Sequence, residues 1–430
     1  MKNPRTAGEM KKRLYAFLLF ILHSSLLTSL VQAQESGTFL DNLRSLRVQV
    51  NGQWENDPVM VLGGSNYVLI CFDDLRHDYV RYTYTLTHCN ADWTPSDLLE
   101  SECMDGFNGQ RIEQYEQSTR TAMLYNHYTL TLPNDDIRQL RVSGNYRVDI
   151  FEDGDDEPVA TACFAVCEGR VGISFDITGN TDIDTYRSHQ QVNFNVNYSA
   201  YPLVRQAETD LKVVVVQNRR WDNCVRDIFP TYLRNHELVY THNRQLIFDA
   251  GNEYRRMEIL DDHVPTMHVD AMDYLDPYYH AYIMADEQRT SYVYDQDQDG
   301  RYYVRNGDDV DNETESEYYI THFALRMPAV AGGDFYLNGE LTNNRLSEEF
   351  RMEYNLIEHQ YELFLPLKQG SYNYQYLFVK EGDSKGSTAQ AEGNFHQTEN
   401  EYAVYVYHRA FGERYDRLVG YNKEKHKGNK

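Results

Sequence analysis

His88, Cys89, Asn90 and Asp92 stand within a few positions of one another. A cysteine nucleophile with its base, or a metal site, would use those residue types. The run that leads into them argues against both. Residues 81–88 alternate large and small side chains with period two, a strand signature. Successive strand side chains leave opposite faces. His88 and Cys89 are therefore expected to point apart. Residues 84–93 read as a strand end running into a turn anchored by Trp93.

Other constellations carry a chemical and a structural reading side by side. Asp295, Asp297, Asp299 and Gly300 match the first half of a calcium-binding EF-hand loop. The twelfth position, which should be Glu, is Asn306. The flanks look like strands rather than helices, so an acidic hairpin turn is preferred to a calcium site. Arg219, Arg220 and Trp221 follow an apolar strand. Paired Arg beside Trp suits a carboxylate or a sugar ring. The alternative is a corner in which Arg220 covers Trp221 and pairs with Asp222. Glu253 has the chemistry of a general acid, with Arg255 to orient it, but no second carboxylate completes a pair. Tyr274, Tyr278, Tyr279 and Tyr282 cluster with Asp273 and Asp276, as in aromatic platforms that hold carbohydrate. The nucleophile elbow, the zinc-protease helix motif, the phosphate-binding loop and the dinucleotide fingerprint are missing from the sequence. The chain is not expected to be an enzyme, and no cofactor is expected.

The elements that position these residues are nearly all strand-like. Strand patterns cover residues 67–72, 81–88, 128–132, 146–151, 192–198, 211–217, 318–325, 361–365, 372–379 and 402–407. The chain holds 36 Tyr, a residue that favours pleated, half-buried surfaces. Turn signals separate the runs, as at Asp153-Gly154, Ser143-Gly144-Asn145, Asp299-Gly300 and Gly332-Gly333. One short helix is expected between residues 95 and 120. The fold class is all-β, built from tandem immunoglobulin-like β-sandwiches.

Residues 1–33 read as a signal peptide. Lys2, Arg5, Lys11, Lys12 and Arg13 precede an apolar stretch, and Val31-Gln32-Ala33 offers small residues for cleavage. Gln34 follows, so a lipid anchor is not indicated. No later stretch approaches the ~20 apolar residues of a membrane helix. The formal net charge is −25, and it becomes more negative when that basic start is removed. Neither nucleic acid nor an anionic membrane surface is then an expected partner, because both select basic patches. The six cysteines are 71, 89, 103, 163, 167 and 224, and disulfides are possible in an exported chain. Cys163 and Cys167 lie in one strand. Four strand residues span roughly 13 Å, beyond the ~4.4–6.8 Å between Cα atoms that a disulfide permits. Those two cannot pair with each other.

Length suggests two or three domains after the leader. The strand pattern places a first sandwich at 37–167, a middle β-rich domain at 171–315 and a third sandwich at 318–410. Residues 308–317 read as an acidic linker or long loop, and residues 411–430 as a polar tail.

Six short motifs occur in order. They are Leu86-Thr87-His88-Cys89-Asn90-Ala91-Asp92-Trp93, Asp105-Gly106-Phe107, Tyr125-Asn126-His127-Tyr128, Ser143-Gly144-Asn145-Tyr146, residues 217–223 and residues 251–255. Together they resemble the type IX secretion system plug protein family of Bacteroidota, over roughly residues 40–380. The third region also resembles early-set immunoglobulin-like modules such as glycogen-binding ones. The plug resemblance implies a periplasmic protein that binds a very large outer-membrane translocon β-barrel and seals its periplasmic mouth between transport events. It implies no insertion into the membrane. Exposed aromatic and Arg residues anchor interfaces, which makes Trp93, Arg220 and Trp221 the candidate contacts. The alternative function is a carbohydrate-binding accessory protein using the Tyr-rich middle region and the third sandwich.

Overall fold

Burial alternates along segments rich in tyrosine and β-branched residues. The strand Tyr82–Cys89 buries Tyr82, Tyr84, Leu86 and His88 and leaves Thr83, Thr85 and Thr87 half-buried. The computed structural model describes residues 36–261, 264–308 and 310–428; the signal peptide expected at 1–33 lies outside them. Every strand expected from period two is present, with ends moved by at most a few residues. The expected short helix is Glu100–Cys103. The protein is all-β, and its strands form three two-sheet sandwiches.

In the first sandwich one sheet runs Gly37–Thr38, Ala160–Cys167, Gly144–Glu152, Tyr82–Cys89, Gln110–Arg111. The facing sheet runs Leu43–Val50, Val68–Asp74, Asn126–Leu132, Gln114–Gln117. Their inner faces share one core that includes Leu43, Phe72, Tyr82, Tyr128, Tyr146 and Phe164. Burying each such side chain contributes about 1.5–3 kcal/mol. The largest fully buried side chains are all tyrosines, and most of their hydroxyls find partners as buried polar groups do. Tyr146 donates to the Val142 carbonyl at 2.8 Å, and Tyr402 to Gln190 Oε1 at 2.8 Å.

The second and third sandwiches are interleaved in sequence, which corrects the expected boundaries. Leu211–Gln217 pairs antiparallel with Glu401–His408, which pairs with Arg417–Lys425. One core joins Val192, Phe194, Val213 and Val215 to Tyr402, Val404 and Val419. The second sandwich is thus residues 171–250 closed by the C-terminal strands. The supposed polar tail contains a strand whose Leu418 and Val419 are fully buried. The third sandwich is inserted between these parts, with a core running from Met257 to Ala391. The strands Arg255–Ile259, Val269–Leu275, Tyr278–Ile283 and Tyr302–Val304, expected in the middle domain, belong to it. Alternation identifies a strand but does not say which strand it pairs with, so the boundary at 315–318 had no physical marker.

Candidate functional site

The hairpin joining Leu211–Gln217 to Arg220–Val225 turns through Asn218 and Arg219, at φ 49° and 59°. Two positive φ values in a two-residue loop are the type I′ condition, and Asn supplies the first cheaply. The Asn218 side chain holds the turn, donating to Asn400 Oδ1 at 2.7 Å and accepting from the Glu401 amide at 2.8 Å. Arg219 is thereby projected away from its own sheet towards Asp57 of the first sandwich.

Asp57 is the meeting point of all three sandwiches. It accepts from Arg219 Nε at 2.6 Å and Tyr421 Oη at 2.6 Å, both from the second sandwich. It also accepts from Arg301 Nη2 of the third at 3.4 Å. Arg301 continues to Glu401 at 2.5 Å, and Arg219 to Glu340 at 3.0 Å. Burial would raise the Asp57 carboxyl, but Arg219, Lys423 and Arg301 hold it well below the usual carboxylate range.

Each pair of sandwiches has a further joint. Between the first and third, Asp73 accepts from His127 at 2.6 Å, Tyr318 at 2.6 Å and Lys368 at 2.8 Å. Lys368 and Asp73 are fully enclosed. Glu313 forks with Arg47 beside them, and Glu317 accepts from the Met123 amide at 3.0 Å. The acidic run expected as a linker is therefore a strap. Between the first and second, Trp93 meets Trp221 edge to face at 5.6 Å, and Asp416 accepts from the Ala91 amide at 3.0 Å and from Lys212 at 2.8 Å. Between the second and third, Arg220 donates to the Gly386 carbonyl at 2.8 Å and Lys425 pairs with Asp299 at 3.1 Å, while Arg255 pairs with Asp286 at 2.8 Å and Glu392 at 3.0 Å inside the third.

The sequence candidates fall inside these joints. Trp93 is 3% exposed and Arg220 4%. Arg220 pairs with Asp222 at 2.6 Å and donates to the Gly386 carbonyl at 2.8 Å. Trp221 is sandwiched by Trp93 and Tyr405. These three are joint residues rather than an external contact surface, which corrects the expected placement. The sequence showed an aromatic–Arg cluster but not what covers it.

His88 and Cys89 do point apart. His88 Nε2 donates to the Ser143 carbonyl at 3.1 Å and Nδ1 meets Ser96 Oγ at 2.8 Å. The ring rests so close to Gly144, at φ 141°, that a Cβ there would lie 2.3 Å from Nε2, which explains the glycine. Burial pushes the imidazole down to about 4. Cys89 packs instead with Trp93 and Cys163, and burial pushes its thiol up to about 12. Arg255 does not orient Glu253. Glu253 accepts from Tyr292 at 2.6 Å, and burial raises its carboxyl. The tyrosines of the 274–282 hairpin split between two faces, since Tyr274 and Tyr279 are cross-strand partners and Tyr282 belongs to the other face.

Asp295, Asp297 and Asp299 do not converge, and no metal-holding cluster of three ligands occurs among the described residues. Asp295 pairs with Arg256 at 2.9 Å. Asp297 accepts from the backbone amides of Tyr254 and Asp299. Asp299 meets Lys425 at 3.1 Å and Arg301 at 3.6 Å.

The family model for the type 9 secretion system plug protein 1st domain matches residues 43–168. The chain belongs to the type IX secretion system plug protein family. No curated protein matches it. Among solved structures, a hypothetical protein from Parabacteroides merdae ATCC 43184 is similar at 47% identity and TM-score 0.89, covering 91% of this chain and 99% of that one. This plug-family chain therefore has a type IX secretion-related role. Its sequence motifs between Leu86 and Tyr146 lie within the matched domain. Those at 217–223 and 251–255 lie beyond it; the first builds joints to the other two sandwiches, and the second is the crossing of the chain from the second sandwich into the third. No helix of the described residues is long and apolar enough to cross a membrane.

Sequence reasoning missed Asp57, Asp73, Arg301 and Lys368. Their partners lie hundreds of positions away, as with the Lys368–Asp73 bond, and no local pattern marks such pairs.

One joint has a pH signature. Burial, then the Asp297 charge, pushes Asp299 up to about 7 against the pull of Lys425 and Arg301. Its unfolded value is ~3.9. The folded chain thus keeps a proton that the unfolded chain releases. That stabilisation is present below about pH 4 and is lost as pH rises through about 7. Asp299→Asn is expected to match the wild type near pH 4 and to exceed its unfolding free energy by roughly 2 kcal/mol near pH 8. Urea unfolding at the two pH values checks this; a constant difference between the proteins would refute it.

Proposed function

We propose that this plug-family chain is a periplasmic cap, which binds the periplasmic mouth of the type IX translocon barrel and seals it between transport events. The observation that carries this beyond family membership is the meeting of three sandwiches at Asp57, with a buried joint between every pair, the second and third meeting where Arg220 donates to the Gly386 carbonyl. A barrel wide enough for folded cargo leaks solutes when idle, and a stopper must hold its shape across the opening. A body hinged at domain linkers would leave gaps. Three sandwiches that each contact the other two have no free hinge. The mechanism is steric and assigns no catalytic step to any residue.

A pull-down with the mature chain from detergent-solubilised outer membranes tests it. Recovery of a very large barrel protein is expected, and its clean absence overturns the capping role. The net charge of −25 adds a kinetic expectation. If the mouth is the complementary surface, the association rate falls at least several-fold as salt rises from low to physiological strength, where the Debye length is ≈ 8 Å. A rate unchanged by salt excludes steering by charge.

A further inference from the structure

The outer faces of two sandwiches are what solvated sheets should be. The first presents Thr83, Thr85 and Thr87. The second presents Asp176 opposite Asn193 and Ser174 opposite Asn195. The third is different. Its strand Tyr278–Ile283 carries apolar or aromatic side chains on both faces, a pattern typical of strands covered on both sides.

On the outer face, Tyr282, His322 and Phe364 lie side by side across three strands, fixed by the pairings Tyr282 with His322 and His322 with Phe364. Tyr282 stacks on His322 at 4.3 Å, and Phe364 meets it at 4.5 Å. His280 joins through Nδ1 to His322 Nε2 at 2.8 Å. Leu275 and Tyr278 extend the patch. Phe364 is 55% exposed, Leu275 51% and Tyr278 40%. Burial, then the neighbouring His280, pushes His322 down to about 4, so this ring is neutral at ordinary pH.

One end of the same face is already an interface. Tyr318 and Ile320, on the strand that carries His322, pack under Tyr125 and Met123 of the first sandwich. The cover stops there, one side-chain repeat short of His322. Acidic residues bracket the uncovered part. Asp273 pairs in register with His280, and Glu353 with Glu362. Arg326 lies at the far end of its strand, in register with Glu287.

This arrangement selects among occupants. A second copy would bring one acidic rim against another on a chain of net charge −25. An anionic lipid surface meets the same repulsion. A sugar ring stacks on an exposed aromatic face, whereas Tyr282, His322 and Phe364 present much of their faces to one another. What fits is a protein surface with apolar side chains flanked by Lys or Arg.

We propose that the outer face of the third sandwich, centred on Tyr282, His322 and Phe364, is the surface by which the chain docks on the translocon, against an apolar patch with a basic rim. This rests on the capping role proposed above. The test immobilises the mature chain and measures binding of the detergent-solubilised translocon. Phe364→Ser and Tyr278→Ser, both at exposed positions, are expected to raise Kd roughly tenfold or more, as anchors at an interface centre do. Asn195→Ser, on the polar face of the second sandwich, is expected to leave it unchanged. Unfolding midpoints of all variants serve as the fold control. If wild type binds and both face variants bind equally well, the docking face is wrong while capping stands. If wild type itself does not bind, capping and the docking face fail together.

Discussion

Replacing Lys368 by Ala is expected to lower the unfolding free energy by about 3–5 kcal/mol. The ammonium is fully enclosed between the first and third sandwiches, 2.8 Å from Asp73 and 4.1 Å from the centre of the Tyr125 ring. Burial pulls Lys368 down and Asp73 up, and each holds the other charged. Removing the cation leaves a buried carboxylate with only His127 and Tyr318 as partners. His127 compensates in part, since burial lowers its ring but Asp73 lifts it to about 9. The double variant Asp73→Ala, Lys368→Ala is therefore expected to lose less than the two single losses combined. Denaturant unfolding checks both statements. A Lys368→Ala loss below about 1 kcal/mol would place this pair among inconsequential surface ion pairs.

Asp57→Ala is the second large effect, also about 3–5 kcal/mol. It removes the carboxylate shared by two buried cations, leaving Arg219 with Glu340 and Arg301 with Glu401 and Asp299. Its consequence differs from that at Asp73, because Asp57 touches both other sandwiches. Amide exchange should rise together in the hairpin at 217–220 and the turn at 299–301, while the first-sandwich core stays protected. Exchange confined to residues around Asp57 itself would mean that the junction does not couple the sandwiches. Arg256→Ala is a useful contrast. Its pair with Asp295 is about a third exposed on each side, and a loss below about 1 kcal/mol is expected.

What could be read from the sequence follows from range. The strand Leu211–Gln217 is legible because alternation and apolar character are local. So is the separation of His88 from Cys89, which follows from the pleat alone. The motifs at residues 84–93, 217–223 and 251–255 were legible as family markers. Their physical role was not, because Trp93 acquires meaning only against Trp221 and Arg219 only against Asp57. Glu401–His408 shows the same limit. Its alternation marks a strand, but its pairing with Leu211–Gln217 rather than with the nearer Gly370–Lys380 is settled by packing across the whole chain. The interleaved second and third sandwiches followed from that pairing, so boundaries drawn at acidic or turn-rich runs fell in the wrong place. Tyrosine abundance was legible as a strand signal, and its deeper use appears only in the fold. Tyr318 belongs to a strand of the third sandwich, yet its hydroxyl completes the Asp73 joint.

The most direct test of the capping account is electrical. The purified translocon barrel, reconstituted in a planar bilayer without this chain, should show a large open conductance. Mature chain added to the periplasmic side should abolish it, and chain added to the other side should not. An unchanged conductance at saturating chain, or equal block from both sides, would contradict a cap that seats on the periplasmic mouth.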